Sequence, residues 1–94
     1  MPSGRFRARP EVVSEAITEG LVLLDMDQGT TFRLNPTGKR VWELVGQGYN
    51  RDEIVATMSR EFAGASGRVA ADVDHFMVEL LANRLIEPQP ENAS

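Results

Sequence analysis

The sequence predicts an α+β fold: a three-stranded antiparallel meander followed by three helices, close to a winged helix-turn-helix. Two observations carry this. Every strand-like run precedes Asn35-Pro36 and every helical run follows it. The strand runs are separated by the short turn signals Thr18-Glu19-Gly20 and Asp27-Gln28-Gly29, which join neighbours antiparallel.

Residues 1–9 read as a flexible basic tail carrying Arg5, Arg7 and Arg9 without an acid, and Pro10 ends this lead-in. Val12 to Ile17 is the first strand, with blurred alternation. Leu21 to Asp25 is the second, and its apolar residues at successive positions predict burial on both faces. Thr30 to Leu34 is the third. With the Leu21–Asp25 strand in the middle, the third strand is an edge. Thr30, Phe32 and Leu34 share one face and Thr31 and Arg33 the other, with Phe32 and Leu34 expected inward.

Asn35 is a strong N-cap and Pro36 suits the first helical position, where its missing N–H costs nothing. This first helix should run to about Val45, bury Val41, Trp42, Leu44 and Val45, and stop at Gly46-Gln47-Gly48. The second begins at Asn50, with Glu53 completing a capping box and Tyr49 and Ile54 placed for a hydrophobic staple. Ile54, Met58 and Phe62 form its inward stripe, with Val55 at the margin, and Ala63-Gly64-Ala65 breaks it. Ser66 caps the third helix, expected to reach about Leu85. Its apolar residues Val69, Val73, Phe76, Met77, Leu80 and Leu81 cover an arc of roughly 140°, broader than a small domain needs from a terminal helix. Val73, Leu80 and Leu81 read as core, while Val69 and Phe76 lie nearer the arc's edge and should be partly exposed. The ordered domain spans 10–87, and 88–94 read as a flexible C-terminal tail.

At 94 residues the chain is one small domain. It has no cysteine, which excludes disulfides, thiolate metal sites and cysteine nucleophiles and fits a reducing, cytoplasmic setting. The longest apolar run, Leu21 to Leu24, is far short of a membrane span, so no membrane partner is expected. A net charge of −4 argues against nucleic acid. A winged-helix DNA-binding protein is the alternative of another class. Its groove-reading helix would carry Asp72, Asp74 and Glu79 in its middle, where they repel phosphate.

Catalysis has little to work with. His75 is the only histidine and reads as a surface residue on the polar side of a helix. Asp72 and Asp74 point about 200° apart on a helix, and Ser14, Ser59 and Ser66 have no neighbouring base. Gly46-x-Gly48 follows no strand and is no phosphate loop. An uncovered strand edge beside an apolar helix face instead suits an extended peptide, taken up as an added strand.

Leu34-Asn35-Pro36-Thr37-Gly38 with Val41-Trp42-Glu43-Leu44, and Ala71-Asp72-Val73-Asp74-His75-Phe76-Met77 leading to Leu80 and Leu85-Ile86, resemble the PqqD-like family. Leu21 to Asp25 and Asp52-Glu53-Ile54-Val55 fall in register with it, so the likeness spans about residues 10–87. The resemblance implies a RiPP recognition element, a protein without cofactor or chemistry of its own. Such a protein captures the leader segment of a ribosomally synthesised precursor peptide and delivers it to a separate modifying enzyme. The Asn-Pro-Thr-Gly form is most similar to the lasso-peptide type, whose partner is a leader peptidase. The alternative within the family is a chaperone for a radical-enzyme pathway such as pyrroloquinoline quinone biosynthesis. Carried over position by position, the peptide-binding residues are Thr30, Thr31, Phe32, Arg33 and Leu34 on the strand and Val69, Asp72, Val73 and Phe76 on the helix. The chain departs from many members in ending its last helix Arg84-Leu85-Ile86, without glycine. A monomer is expected, although an open edge also permits self-pairing into a dimer.

Overall fold

A computed structural model describes residues 4–62 and 66–89. In chain order they form β1 (Phe6–Ala8), β2 (Val12–Ile17), β3 (Gly20–Asp25), β4 (Thr30–Leu34), α1 (Pro36–Gly46), α2 (Arg51–Glu61), α3 (Ser66–Ala82) and β5 (Ile86–Pro88). The meander is antiparallel in the order β2-β3-β4, as the two short turns require. Both turns are built by their own residues. Gly20 has φ +148°, and a Cβ there would lie 1.9 Å from the Leu34 carbonyl oxygen, so only glycine lets β4 end against this turn. At the other end, Asp25 Oδ1 accepts the N–H groups of Asp27 and Gln28 at 2.9 and 3.2 Å, while Gly29, at φ +72°, donates to the Asp25 carbonyl.

The inner face of β3 is fully buried, with Leu23 at 0% exposure and Leu21 beside it. The expected burial of both faces is not found. Val22 and Leu24 are half-buried, shielded by their cross-strand neighbours on β2 and β4, and no second layer among the described residues covers them. The molecule is correspondingly thin, 40 × 37 × 19 Å.

The helix starts follow the local chemistry. Asn35 Oδ1 accepts the Gly38 N–H at 2.8 Å. Asn50 and Glu53 make the reciprocal capping box, at 2.8 and 2.9 Å. Val41, Leu44, Val45, Ile54, Met58, Val73, Met77 and Leu80 fill the core, with Trp42, Tyr49, Val55 and Phe62 packed around it. Two arginine–carboxylate forks tie the helices together: Arg40 with Glu61 joins α1 to α2, and Arg51 with Asp74 joins α2 to α3.

Helices α1 and α3 end in the same way. In α1, Gly48 and Tyr49 donate back to the carbonyls of Val45 and Leu44, with Gly48 at φ +90°. In α3, Arg84 and Leu85 donate to Leu81 and Leu80, and Arg84 takes the left-handed conformation at φ +59°. The third helix therefore stops at Ala82, earlier than the expected Leu85, because Arg84 does the work usually given to glycine.

Three further expectations are corrected. Leu81 is 38% exposed and not core, whereas Val69, expected at the margin, is buried at 5%. Phe6–Ala8, expected within a loose tail, pair antiparallel with Ile86–Pro88 as a two-stranded ribbon. The arginines of this stretch are also engaged. Arg5 bonds Glu53 and the Gly48 carbonyl, Arg7 bonds Glu87 at 2.7 Å, and Arg9 donates to the Arg84 carbonyl at 2.9 Å. The break expected at 63–65 lies outside the described residues, and α3 begins at Ser66.

Candidate functional site

In an antiparallel sheet, the N–H and C=O of one residue point to the same neighbouring strand, and successive residues alternate sides. Met26 donates to the Glu11 carbonyl, so with the observed register Gly20, Val22 and Leu24 bond toward β2. Leu21, Leu23 and Asp25 then bond toward Leu34, Phe32 and Thr30 of β4. What remains on the open side of β4 is the backbone of Thr31 and Arg33.

This edge borders a cleft of about 240 Å³ between β4 and α3. Phe32, Phe76, Leu80 and Leu85 give it an apolar floor. Arg33 stands on one lip and His75, Glu79 and Asn83 on the other. Toward the β2–β3 turn, Arg33 and Leu34 also border a broader depression shared with Ile17, Thr18, Glu19 and Asn35. The helix wall is held in place from both ends. The Arg51–Asp74 fork fixes its middle, and this hydrogen-bonded guanidinium lowers the Asp74 carboxyl below the usual carboxylate range. At the far end, the backbone bond from Leu85 to Leu80 folds one floor residue against the other.

Phe76 is positioned by a glycine. A Cβ on Gly38 would fall 2.6 Å from Phe76 Cε1 and 3.3 Å from Leu34 Cβ, so the ring occupies the space a side chain would take. His75 stacks edge-on to the same ring, with centroids 6.2 Å apart at 67°.

The residues singled out from the sequence divide between two hollows. Phe32, Arg33, Leu34 and Phe76 meet in the main cleft. Val69, Asp72 and Val73 line a smaller one of about 60 Å³, closed by Thr37 of α1 and by Met58 and Phe62. Thr30 and Thr31 are exposed and line neither, and what Thr31 turns to the open edge is its backbone. Sequence reasoning missed His75, Glu79, Asn83 and Leu85 as lining residues. The signal was present: positions 75, 79 and 83 form one i, i+4 row along the edge of the apolar arc. Among the described residues no group of three or more His, Asp or Glu is placed to hold a metal ion, and no helix is long and apolar enough to cross a membrane. The geometry offers backbone hydrogen bonds, an apolar floor and polar lips.

A profile of the family described as coenzyme PQQ synthesis protein D (PqqD) matches residues 20–86. Among solved structures, TbiB1 in complex with the TbiA(beta) leader peptide is 30% identical, with 90% of this chain and 99% of that one covered at a TM-score of 0.78. A lasso peptide synthetase B1 complexed with the leader peptide is 24% identical, with 89% and 99% covered at 0.79, a likeness of fold. No curated protein matches the chain. The matched residues run from Gly20, through the open β4 strand and the three helices, to Ile86, and the chain belongs to the PqqD family.

Proposed function

We propose that this protein binds the leader segment of a ribosomally synthesised precursor peptide as a strand added to β4, packed against α3. It then presents the precursor to a separate modifying enzyme and performs no chemistry itself. A lasso-peptide leader peptidase is the favoured partner, because the 30%-identical neighbour is a B1 protein holding a leader peptide. The single observation that carries the reading is the unpaired backbone of Thr31 and Arg33 alongside an apolar cleft. In this arrangement, which is winged-helix-like with the meander as the wing, leader side chains on the inner face of the added strand enter between Phe32, Phe76 and Leu80. Those of the leader's flanking residues reach the hollow at Val69, Asp72 and Val73.

The test is Arg33→Pro. It removes an outward donor and leaves the bonds between β3 and β4 intact, as proline at an edge position does. Leader affinity in a calorimetric titration should fall about tenfold or more, with the thermal midpoint nearly unchanged. Unaltered affinity overturns strand addition at β4. The pathway is read from neighbouring genes: a precursor, a peptidase and a cyclase fit the lasso assignment, and a radical enzyme fits the pyrroloquinoline quinone type.

A further inference from the structure

The meander has a second open edge. The phase that turns Thr31 and Arg33 outward on β4 also turns Ser14 and Ala16 outward on β2, and among the described residues no strand lies on the far side of β2. Val12 already donates to the Arg9 carbonyl, so the open stretch runs over 13–17, with no proline, and Val13 is 49% exposed. Edge strands left this long and open are normally blunted, since their free N–H and C=O groups accept other chains.

The charges around the edge select among occupants. Residues 11–28 carry Glu11, Glu15, Glu19, Asp25 and Asp27 without a base. Asp25 is buried and Glu11 is engaged by Arg9 at 3.4 Å, but Glu15 and Glu19 make no ion pair among the described residues. A second copy pairing antiparallel so that Ser14 and Ala16 of each chain satisfy one another would bring Glu15 against its own equivalent across the new ladder, and like charges so placed repel. A basic strand meets the opposite situation.

We infer that β2 is a second strand-addition edge, and that its occupant is an extended, basic segment of the partner enzyme. Its side chains on the outer sheet face would be apolar beside Val13 and Lys or Arg beside Glu15. The inner-face neighbours Ser14 and Ala16 are small and exposed and impose little shape. Taking the occupant as part of the modifying enzyme rests on the leader-binding reading, but the edge itself does not. The consequence is spatial: leader and enzyme would pair with opposite sides of one sheet, so a loaded protein can still dock.

The probe is a short, end-capped peptide with valine and lysine two residues apart on one face and serine between them, with glutamate in place of lysine in its control, titrated into the isotopically labelled full chain. The lysine peptide should shift the amides of Ser14 and Ala16 and do so equally in Arg33→Pro, whose β4 edge is disabled. Glu15→Lys should weaken the lysine peptide about fivefold without altering leader affinity. Equal responses to both peptides, or shifts confined to Thr31 and Arg33, overturn the proposal. So do Ser14 and Ala16 shifts that follow protein concentration alone, which assign the edge to a second copy. Loss of leader binding in wild type together with normal β2 shifts would instead sink the leader reading and leave the basic edge standing.

Discussion

At the scale of single residues, two backbone positions have sharp consequences. Gly38 is buried beneath the Phe76 ring. Alanine there gains helix propensity of up to about 1 kcal/mol, yet its methyl needs space the ring now fills. Gly38→Ala should therefore leave the melting temperature close to wild type while tilting Phe76 into the cleft. Titration should show leader affinity reduced about tenfold; an unchanged affinity would mean the ring is not part of the docking surface. Arg84 presents the converse case. A non-glycine residue in the left-handed region costs about 1 kcal/mol, and the bonds that hold the turn are made by backbone. Arg84→Gly should raise the melting temperature by about 4–8 °C for a domain of this size. The two positions also show what a sequence conveys. The Asn35 and Asn50 caps were legible because donor and acceptor lie three residues apart. The reason for Gly38 was not, because the atom that excludes a side chain sits on another helix.

At the scale of elements, the meander and three helices were legible from turns, caps and periodicity, whereas the β1–β5 ribbon was not. Its strands are three residues each and their partners stand about as far apart in sequence as the chain permits. The alternation Arg5-Phe6-Arg7-Ala8-Arg9 was a strand signal, masked by reading the arginines as a charge run. The arginine–carboxylate contacts of the helices make a pH prediction. Hydrogen bonds from Arg51, Arg40 and Arg5 lower the carboxyls of Asp74, Glu61 and Glu53. Groups with depressed folded values stabilise the fold above their unfolded values and lose that contribution as pH falls through the folded ones. Melting temperatures should stay level from neutrality to about pH 5 and drop below about pH 4. Asp74→Asn should flatten this acid slope, and a slope equal to wild type would remove the Arg51 fork from the account.

At the scale of the whole molecule, Arg9 joins parts that are distant in the chain. It donates to the Arg84 carbonyl behind α3 and lies 3.7 Å from Asp25 Oδ2, a buried oxygen with no hydrogen-bond partner among the described residues. Arg9→Ala would leave that carboxylate buried without a cation and should destabilise the fold by about 3 kcal/mol, measured by denaturant unfolding. Combined with Asp25→Asn the loss should be less than additive. Because Arg9 also holds the turn that ends α3, the same variant should loosen Leu85 at the cleft floor, detectable as faster amide exchange of Leu85.

The ribbon that Arg9 secures sets Phe6 directly opposite Pro88. The two ends of the folded unit thus leave it side by side, on a ribbon whose strands take no part in lining the cleft. A unit with adjacent entry and exit points can be spliced into a surface loop of a host protein without parting its own strands. It can equally be tethered from either end. The fold is in this sense a cassette: evolution or an engineer could move it between enzymes, and what it recognises would travel with it.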